Sequence, residues 1–360
     1  MAEARDDTAD ILDPLAEVPA ANRRARRLRG LVRLAGALGF TLFALLVVTF
    51  VIGRVIPVDP VLAVVGDRAS AETYTAAARP MGIDQPLAVQ FWRYLVAVSH
   101  GDLGTSVVTA RPVLDDIVRY FPATIELATL ATLIGVGLGI PAGVAGAYWR
   151  NRWPDHVIRV VSLLGYSVPV FWLGMVALLV FYADLGWTPG PGRIAIHFAE
   201  AVPAVTGFLT IDALFAGNRA VFADALAHLV LPSAVLGLFS LAYIARMTRG
   251  YMIAELGQDY VLAARAKGLG EARVVWRHAL ANAAVPLVTV VALSYGGLLE
   301  GSVLTETVFA WPGLGAYLTR SLLNADMNAV LGATLVVGVV FVLLNRLADM
   351  AYALLDPRVR

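Results

Sequence analysis

Six long stretches without a charged residue, at 34–53, 127–149, 160–183, 229–245, 279–299 and 327–345, limit what this chain can become more than any other feature. Most reach the roughly 20 residues needed to cross about 30 Å of hydrocarbon at 1.5 Å per residue. The run at 229–245 is shorter, but Ala225, Leu226 and Ala227 extend it past His228. Backbone groups in lipid must find partners within their own segment, so such spans are helices. With 59% of residues hydrophobic, a soluble domain is excluded. The expected fold is an all-α integral membrane protein of six transmembrane helices over 31–360, with a large extracytoplasmic segment after the first.

Arginine placement sets the orientation. Arg150, Arg152 and Arg159 lie in one short loop, and Arg246, Arg249, Arg265, Lys267, Arg273 and Arg277 in another. The loop after the third run holds only Arg193 and Arg219, and the last outer loop only Arg320. The positive-inside rule then places both termini in the cytoplasm, with outer segments at about 54–122 and 185–228 and an inner loop at about 246–278. The first run is too long for a cleaved signal peptide and no small-residue cleavage site follows it. Cysteine is absent, which excludes disulfides and thiolate chemistry.

Residues 1–30 read as a disordered tail, acidic at first and then basic, with the collar 23–33 anchoring the first span against lipid. The outer segment 54–122 carries an aromatic patch, Phe91, Trp92 and Tyr94, which argues for order. Gly135, Gly139 and Gly143 recur every fourth residue on the second run, a small-residue stripe suited to close helix packing. Pro169, Pro232 and Pro286 predict kinks.

The inner loop reads Tyr260-Val-Leu-Ala-Ala-Arg-Ala-Lys-Gly-Leu-Gly270, followed by Arg273 and Arg277. Alanines at 263, 264 and 266 favour a short helix over 260–267, and Gly268 sits where a C-cap glycine belongs. Arg265 and Lys267 complement the dipole in its last turn. The topology rule alone accounts for the arginines; it does not account for the alanines and the placed glycine. An ordered charged element between two spans is the mark of a docking site for another protein.

Energy-coupling chemistry is missing. No segment fits Gly-x4-Gly-Lys-Ser/Thr, since the only lysine, Lys267, precedes Gly268 without a glycine loop before it. The histidines (His100, His156, His197, His228, His278) are scattered, so no metal site, catalytic residue or cofactor is expected. Glu126 and Glu300 lie at span edges and Asp349 follows the last run; Glu300 reads as an interfacial cap rather than a proton coupler.

With that loop and no ATPase of its own, the chain resembles the permease subunits of ABC importers, and more narrowly the B-type permease of the dipeptide/oligopeptide/nickel branch. Ala263, Ala264, Gly268 and Leu280 match the family's inner-loop pattern; Leu262, His278 and Ala281 depart from it. Ala264–Leu269 reads Ala-Arg-Ala-Lys-Gly-Leu, as is typical of the branch. Further branch-like stretches are Met81-Gly-Ile-Asp-Gln-Pro86, Gly101-Asp-Leu-Gly-Thr-Ser106, Pro122-Ala-Thr-Ile-Glu-Leu127, Ser167-Val-Pro-Val-Phe171, Glu306-Thr-Val-Phe-Ala-Trp-Pro-Gly-Leu-Gly315 and the ending Leu355-Asp-Pro-Arg358.

The resemblance implies a type I ABC importer permease fold in the cell membrane. It also implies a second, C-type permease, two cytoplasmic ATP-binding subunits, and a solute-binding protein that delivers peptide, nickel chelate or oligosaccharide. No nucleic acid partner is implied. ATPase coupling would fall to Tyr260, Ala263, Ala264, Arg265, Lys267, Gly268, Leu269 and Arg273. The rival classes are a self-sufficient secondary transporter, which needs buried carboxylates, and an intramembrane hydrolase, which needs a nucleophile–base pair.

Overall fold

The computed structural model of the chain describes residues 36, 39–53, 60–66, 68–81 and 85–355. It divides into Met1–Val48, whose described residues are helical, and a far larger unit, Thr49–Arg360. The helices in chain order are α1 (Gly39–Gly53), α2 (Pro60–Val65), α3 (Ala71–Met81), α4 (Leu87–Ser99), α5 (Val113–Tyr148), α6 (Trp153–Ser167) and α7 (Val170–Asp184). They continue with α8 (Leu209–Phe215), α9 (Arg219–Leu256), α10 (Asp259–Ala266), α11 (Glu271–Val308), α12 (Leu314–Leu323) and α13 (Met327–Leu355). The tail expected over 1–30 and the collar at 23–33 lie outside the described residues, as do parts of the motifs at 81–86 and 355–358.

The expectation of six spans is corrected. Among the described residues four helices are long and apolar enough to cross a membrane: α5, α9, α11 and the stretch Met327–Ala351 of α13. A fifth exists if α6 and α7, bent by 100° at their junction, count as one. Two runs account for the difference, the first and the third. Of the first run only residues 36 and 39–53 are described, and the described helix α1 covers about 22 Å at 1.5 Å per residue, short of the hydrocarbon thickness. The third run is broken because Pro169 forces the residue before it out of the helical region, and Val168 is extended at φ −83°, ψ 129°. Pro122, Pro141, Pro232 and Pro286, by contrast, lie within continuous helices.

The bundle is organised around the contact of α5 with α9. Gly135, Gly139 and Gly143 face Ser240, Leu241 and Thr248 so closely that a Cβ at Gly139 would stand 3.0 Å from the Leu241 carbonyl, and one at Gly143 2.6 Å from that of Ala245. α11 lies against both, with Ser240 and Ser294 sharing a hydrogen bond of 2.9 Å and Ile244 packing on Leu287 and Val290. Asn218 starts α9 as an N-cap, its side chain accepting from the Val221 amide at 3.2 Å.

The outer segment is ordered where described. Phe91 and Tyr94 of α4 meet Phe50 with ring centroids 5.1 and 5.8 Å apart, while Trp92 stays exposed. The Gly101–Ser106 motif folds onto the start of α13: the Ser106 hydroxyl donates to Asp326 at 2.5 Å and Asn328 Nδ2 to the Thr105 carbonyl at 3.0 Å.

The end of α11 holds a buried carboxylate that charge-free runs could not reveal. Glu306 is fully buried and accepts from Thr124 Oγ1 at 2.7 Å, Ser302 Oγ at 3.1 Å and the Ala316 amide at 2.9 Å. It therefore occupies the N-terminus of α12 from outside that helix, where free amides and the dipole favour an anion. Thr124 in turn accepts from the Leu314 amide at 2.8 Å, and Trp311 donates to the Ala123 carbonyl at 2.9 Å. The glycines of the 306–315 motif follow: a Cβ at Gly313 would collide with the Glu306 carboxyl, and one at Gly315 would stand 2.6 Å from the Val303 backbone.

Gly315→Ala should therefore lower the midpoint of thermal unfolding of the purified complex, because backbone must move. Gly301→Ala, with nothing within 4 Å of the added carbon, should leave it unchanged. Equal midpoints for both variants, read by a dye that reports buried apolar surface, would remove this account of the motif.

Candidate coupling surface

Helix α10 ends in a complete Schellman motif. The Gly268 amide donates to the Arg265 carbonyl at 2.9 Å, the Leu269 amide to that of Ala264 at 3.3 Å, and Gly268 takes φ +78°. Gln258, extended at φ −82°, ψ 151°, separates α10 from α9, and Asp259 stands in its first turn. The helix runs from Asp259 to Ala266 where the alanine pattern placed it at 260–267.

Two residues anchor it. Val261 and Ala264 are buried in a cluster with Val144, Ala147, Met252, Val274 and Val275, and Leu269 packs half-buried on the same cluster. Tyr260, Leu262, Ala263, Arg265, Ala266 and Lys267 are exposed. Among the residues chosen from sequence, Ala264 and Leu269 thus face inward, whereas Tyr260, Ala263, Arg265, Lys267, Gly268 and Arg273 lie on the surface. Sequence reasoning passed over Leu262 and Trp276, exposed at 67% and 49% on either side of the loop. The signal was available: bulky apolar residues in a basic, water-facing segment.

Arg265 is not a free cation. Its Nε and Nη2 donate to the two oxygens of Glu271 at 2.8 and 3.2 Å, which straps the end of α10 to the start of α11. Both side chains are more than a third exposed, so the pair sets geometry rather than stability. The Tyr260 hydroxyl donates to Glu255 at 2.6 Å; partial loss of water around it and that neighbouring carboxylate raise its pKa, so it remains a donor.

A second tie lies close by. Asp155, fully buried in the first turn of α6, accepts from Arg249 Nε at 2.5 Å, Arg249 Nη2 at 2.9 Å and the Asn151 amide at 2.9 Å. Arg249 and Arg246 therefore belong to α9, which runs on to Leu256, and not to a loop beginning at 246.

At the opposite end, Arg193 donates to Glu126 through Nε at 3.2 Å and Nη2 at 2.6 Å, and Nη2 also reaches the Gly207 carbonyl at 2.9 Å. Glu126 receives the Thr210 amide at 3.0 Å and its hydroxyl. Asp212 ties the same loop together, accepting from the amides of Val205, Thr206 and Gly207 at 3.2, 2.8 and 3.1 Å and the Thr206 hydroxyl at 2.7 Å. Burial alone would raise its carboxyl. The four donors outweigh burial and hold it below the ordinary carboxylate range. Glu300, read from the sequence as an interfacial cap, is exposed. Among the described residues no group of three or more His, Asp or Glu is placed to hold a metal ion.

The long apolar helices define a multi-pass helical membrane protein. The chain matches the model of the binding-protein-dependent transport system inner membrane component over residues 135–360, and its N-terminal companion over 27–128. It belongs to that family, and is a non-catalytic membrane permease of an ABC-type importer. It is 46% identical over 313 residues to the probable D,D-dipeptide transport system permease protein DdpB of Escherichia coli K12, covering 87% of this chain and 92% of that one. It is 40% identical over 335 residues to the dipeptide transport system permease protein DppB of the same strain, covering 92% and 99%. The glutathione transport system permease protein GsiC of Salmonella paratyphi A is 37% identical over 320 residues, covering 89% and 95%. An inward-facing structure of the MetNI methionine ABC transporter shares the fold, with TM-score 0.50 and 18% identity over 67% of this chain and 96% of that one. Membership excludes the self-sufficient carrier and the hydrolase, and implies a paired permease, ATPase subunits and a solute-binding protein.

The Asp212 carboxyl is held down in the folded loop, so its contribution is complete above the unfolded value of about 4 and lost as pH falls through the lower folded value. Hydrogen exchange of the Val205, Thr206 and Gly207 amides, corrected for intrinsic rate, should rise only in that acid window. Asp212→Asn should raise it at neutral pH as well; unchanged protection in the variant would show that the loop is held by other contacts.

Proposed function

We propose that the chain is one half of the translocation pathway of an ATP-driven peptide importer, and that α10 with the first turns of α11 is the surface through which ATPase motion enters it. The supporting observation is the construction of α10: two residues anchor it, a Schellman glycine closes it, and its outer face carries Leu262, Arg265 and Lys267 beside Arg273 and Trp276. An apolar residue beside Lys267 and Arg273, with Arg265 paired to Glu271, suits an acidic-rimmed groove on a cytoplasmic ATPase. The arginine asymmetry puts this loop in the cytoplasm and 185–218 outside. The even count of six spans that put both termini inside does not hold among the described helices, so the orientation extends to these loops alone. The other partners are a C-type permease, a second ATPase subunit and an external binding protein. Dipeptides are the favoured cargo because the relatives at 46% and 40% identity are named for dipeptide transport.

Gly268 has open space around it, so its requirement is conformational: a side chain at φ +78° costs about 1–2 kcal/mol, and more when β-branched. Gly268→Val should leave the amount of permease in the membrane unchanged and lower the docked population about five- to thirtyfold. The purified complex should lose ATPase subunits, or keep them with hydrolysis no longer stimulated by loaded binding protein. Normal transport by this variant at normal expression would reduce the segment to an ordinary basic loop.

Ala263 and Ala264 separate docking from folding. Ala263→Trp, on the exposed face, should abolish stimulation while the permease remains stable. Ala264→Trp, inside the cluster, should lower stability as well. Identical behaviour of the two variants in stimulated hydrolysis and thermal unfolding would count against this division of the helix. A cysteine placed at Gly270 in this cysteine-free chain should react only with reagents that reach the cytoplasm, and labelling from outside would overturn the orientation.

A further inference from the structure

One charge in the inner half of α9 has no acidic partner among the described ion pairs. Arg246 follows directly on the uncharged run 229–245 and its side chain is exposed. The ion pairs involve Arg159, Arg193, His228, Arg249, Arg265 and Arg346, and not Arg246. Its guanidinium instead lies 5.1 Å from the ring centroid of Tyr166 and 5.9 Å from that of Tyr243. Tyr166 is also stacked on Phe239, centroids 5.2 Å apart and planes at 16°.

These contacts fix the direction in which the charge points. Phe239 precedes Arg246 by about two turns, or roughly 10 Å of helix. A guanidinium beside the ring that covers Phe239 reaches back toward the middle of the span, as helical side chains do. An arginine seeking lipid headgroups from the inner end of a span would extend the other way. Much of α9 is already occupied: α5 takes Ser240, Leu241, Ala245 and Thr248, α6 takes Leu238 and Ala242, and α11 takes Ile244. Phe239 and Tyr243 are half-buried against the bundle, and Arg246 is the exposed end of the strip they form. An inward-turned charge is disfavoured on a lipid-facing surface, so this strip faces water or protein.

We propose that Arg246, held between Tyr166 and Tyr243, is a carboxylate-binding station on the translocation path, engaging the C-terminal carboxylate of a peptide in transit. This rests on the peptide-importer reading above. The chemistry fits a passing cargo. A planar guanidinium pairs with a carboxylate through two parallel hydrogen bonds, and every linear peptide with a free C-terminus carries that group whatever its side chains. Two flanking rings orient the fork without neutralising it, which leaves the charge available and the contact releasable.

The absence of cysteine makes the test direct. Arg246→Cys is assembled with its partner subunits in proteoliposomes, and uptake of a labelled dipeptide is measured beside ATP hydrolysis stimulated by loaded binding protein. Uptake should fall roughly ten- to hundredfold, the worth of a charge-assisted contact, while stimulated hydrolysis stays near wild type. A cationic, water-soluble methanethiosulfonate should then modify the thiol and restore uptake, and an anionic one should modify it without rescue. The wild-type complex, treated identically, controls for cysteines in the partners. Failure of both reagents to reach residue 246 would mean that it faces lipid, and loss of subunits on purification would mean a subunit contact; either overturns the proposal. Uptake equal to wild type would do the same. Failure of the peptide reading is distinguishable, since the wild-type complex would then take up no dipeptide at all.

Discussion

The close approach of α5 to α9 is the constraint on which the rest of the bundle depends. In lipid there is little hydrophobic gain from bringing two apolar helices together, so association relies on dispersion contacts and hydrogen bonds at short range. Gly135, Gly139 and Gly143 let the α5 backbone reach the carbonyls of Leu241 and Ala245, and Gly237 brings α9 equally close to Ile134. Once the two axes are this near, α11 can touch both, and the Ser240–Ser294 bond falls in the seam. A side chain at any of the three glycines would separate the helices and open that seam.

The ends of the bundle are held by a different kind of interaction. Glu306 and Thr124 join α11, α5 and the start of α12; Glu126 and Arg193 join α5 to the outer loop; Asp155 and Arg249 join α6 to α9 near the docking helix. Each carboxylate is buried and takes at least three hydrogen bonds, which offsets the cost of removing it from water. Breaking one partner leaves a stranded donor or charge, so these ties are all-or-none. They make the helix ends geometrically definite while the lipid-facing sides remain smooth.

Much of this was legible in the residues, and the losses have identifiable causes. The glycine period on α5 and the alanine run closed by Gly268 carry their geometry in local sequence, because close packing needs small side chains and a Schellman turn needs positive φ. Uncharged length was a weaker guide. It counted the run 160–183 as one span, where the kink expected at Pro169 is a 100° break between two helices, and it counted 34–53, of which the described helix covers only 39–53. It also set Glu306 outside the fifth run, where no local rule reveals that the carboxylate caps a helix eight residues further on. Nonlocal partners such as Ser106 with Asp326 are invisible to any periodicity.

The polar ties and the proposed docking role of α10 together suit a part that must move as a unit. Val261 and Ala264 seat α10 on residues of α5, α9 and α11 at once, through Val144, Met252 and Val274. The Arg265–Glu271 strap joins its end to α11, and Asp155–Arg249 joins α9 to α6. A force applied to α10 is thus delivered to the inner ends of four spanning elements rather than absorbed by a loose loop. At the far end the buried carboxylates prevent the same helices from splaying independently. A displacement at one end is then expressed as a tilt of the bundle, which is the motion alternating access requires. On the coupling role proposed for α10, rigid ties between helices that cross the bilayer, and not flexibility, are what let a short surface helix govern access to a path inside the membrane.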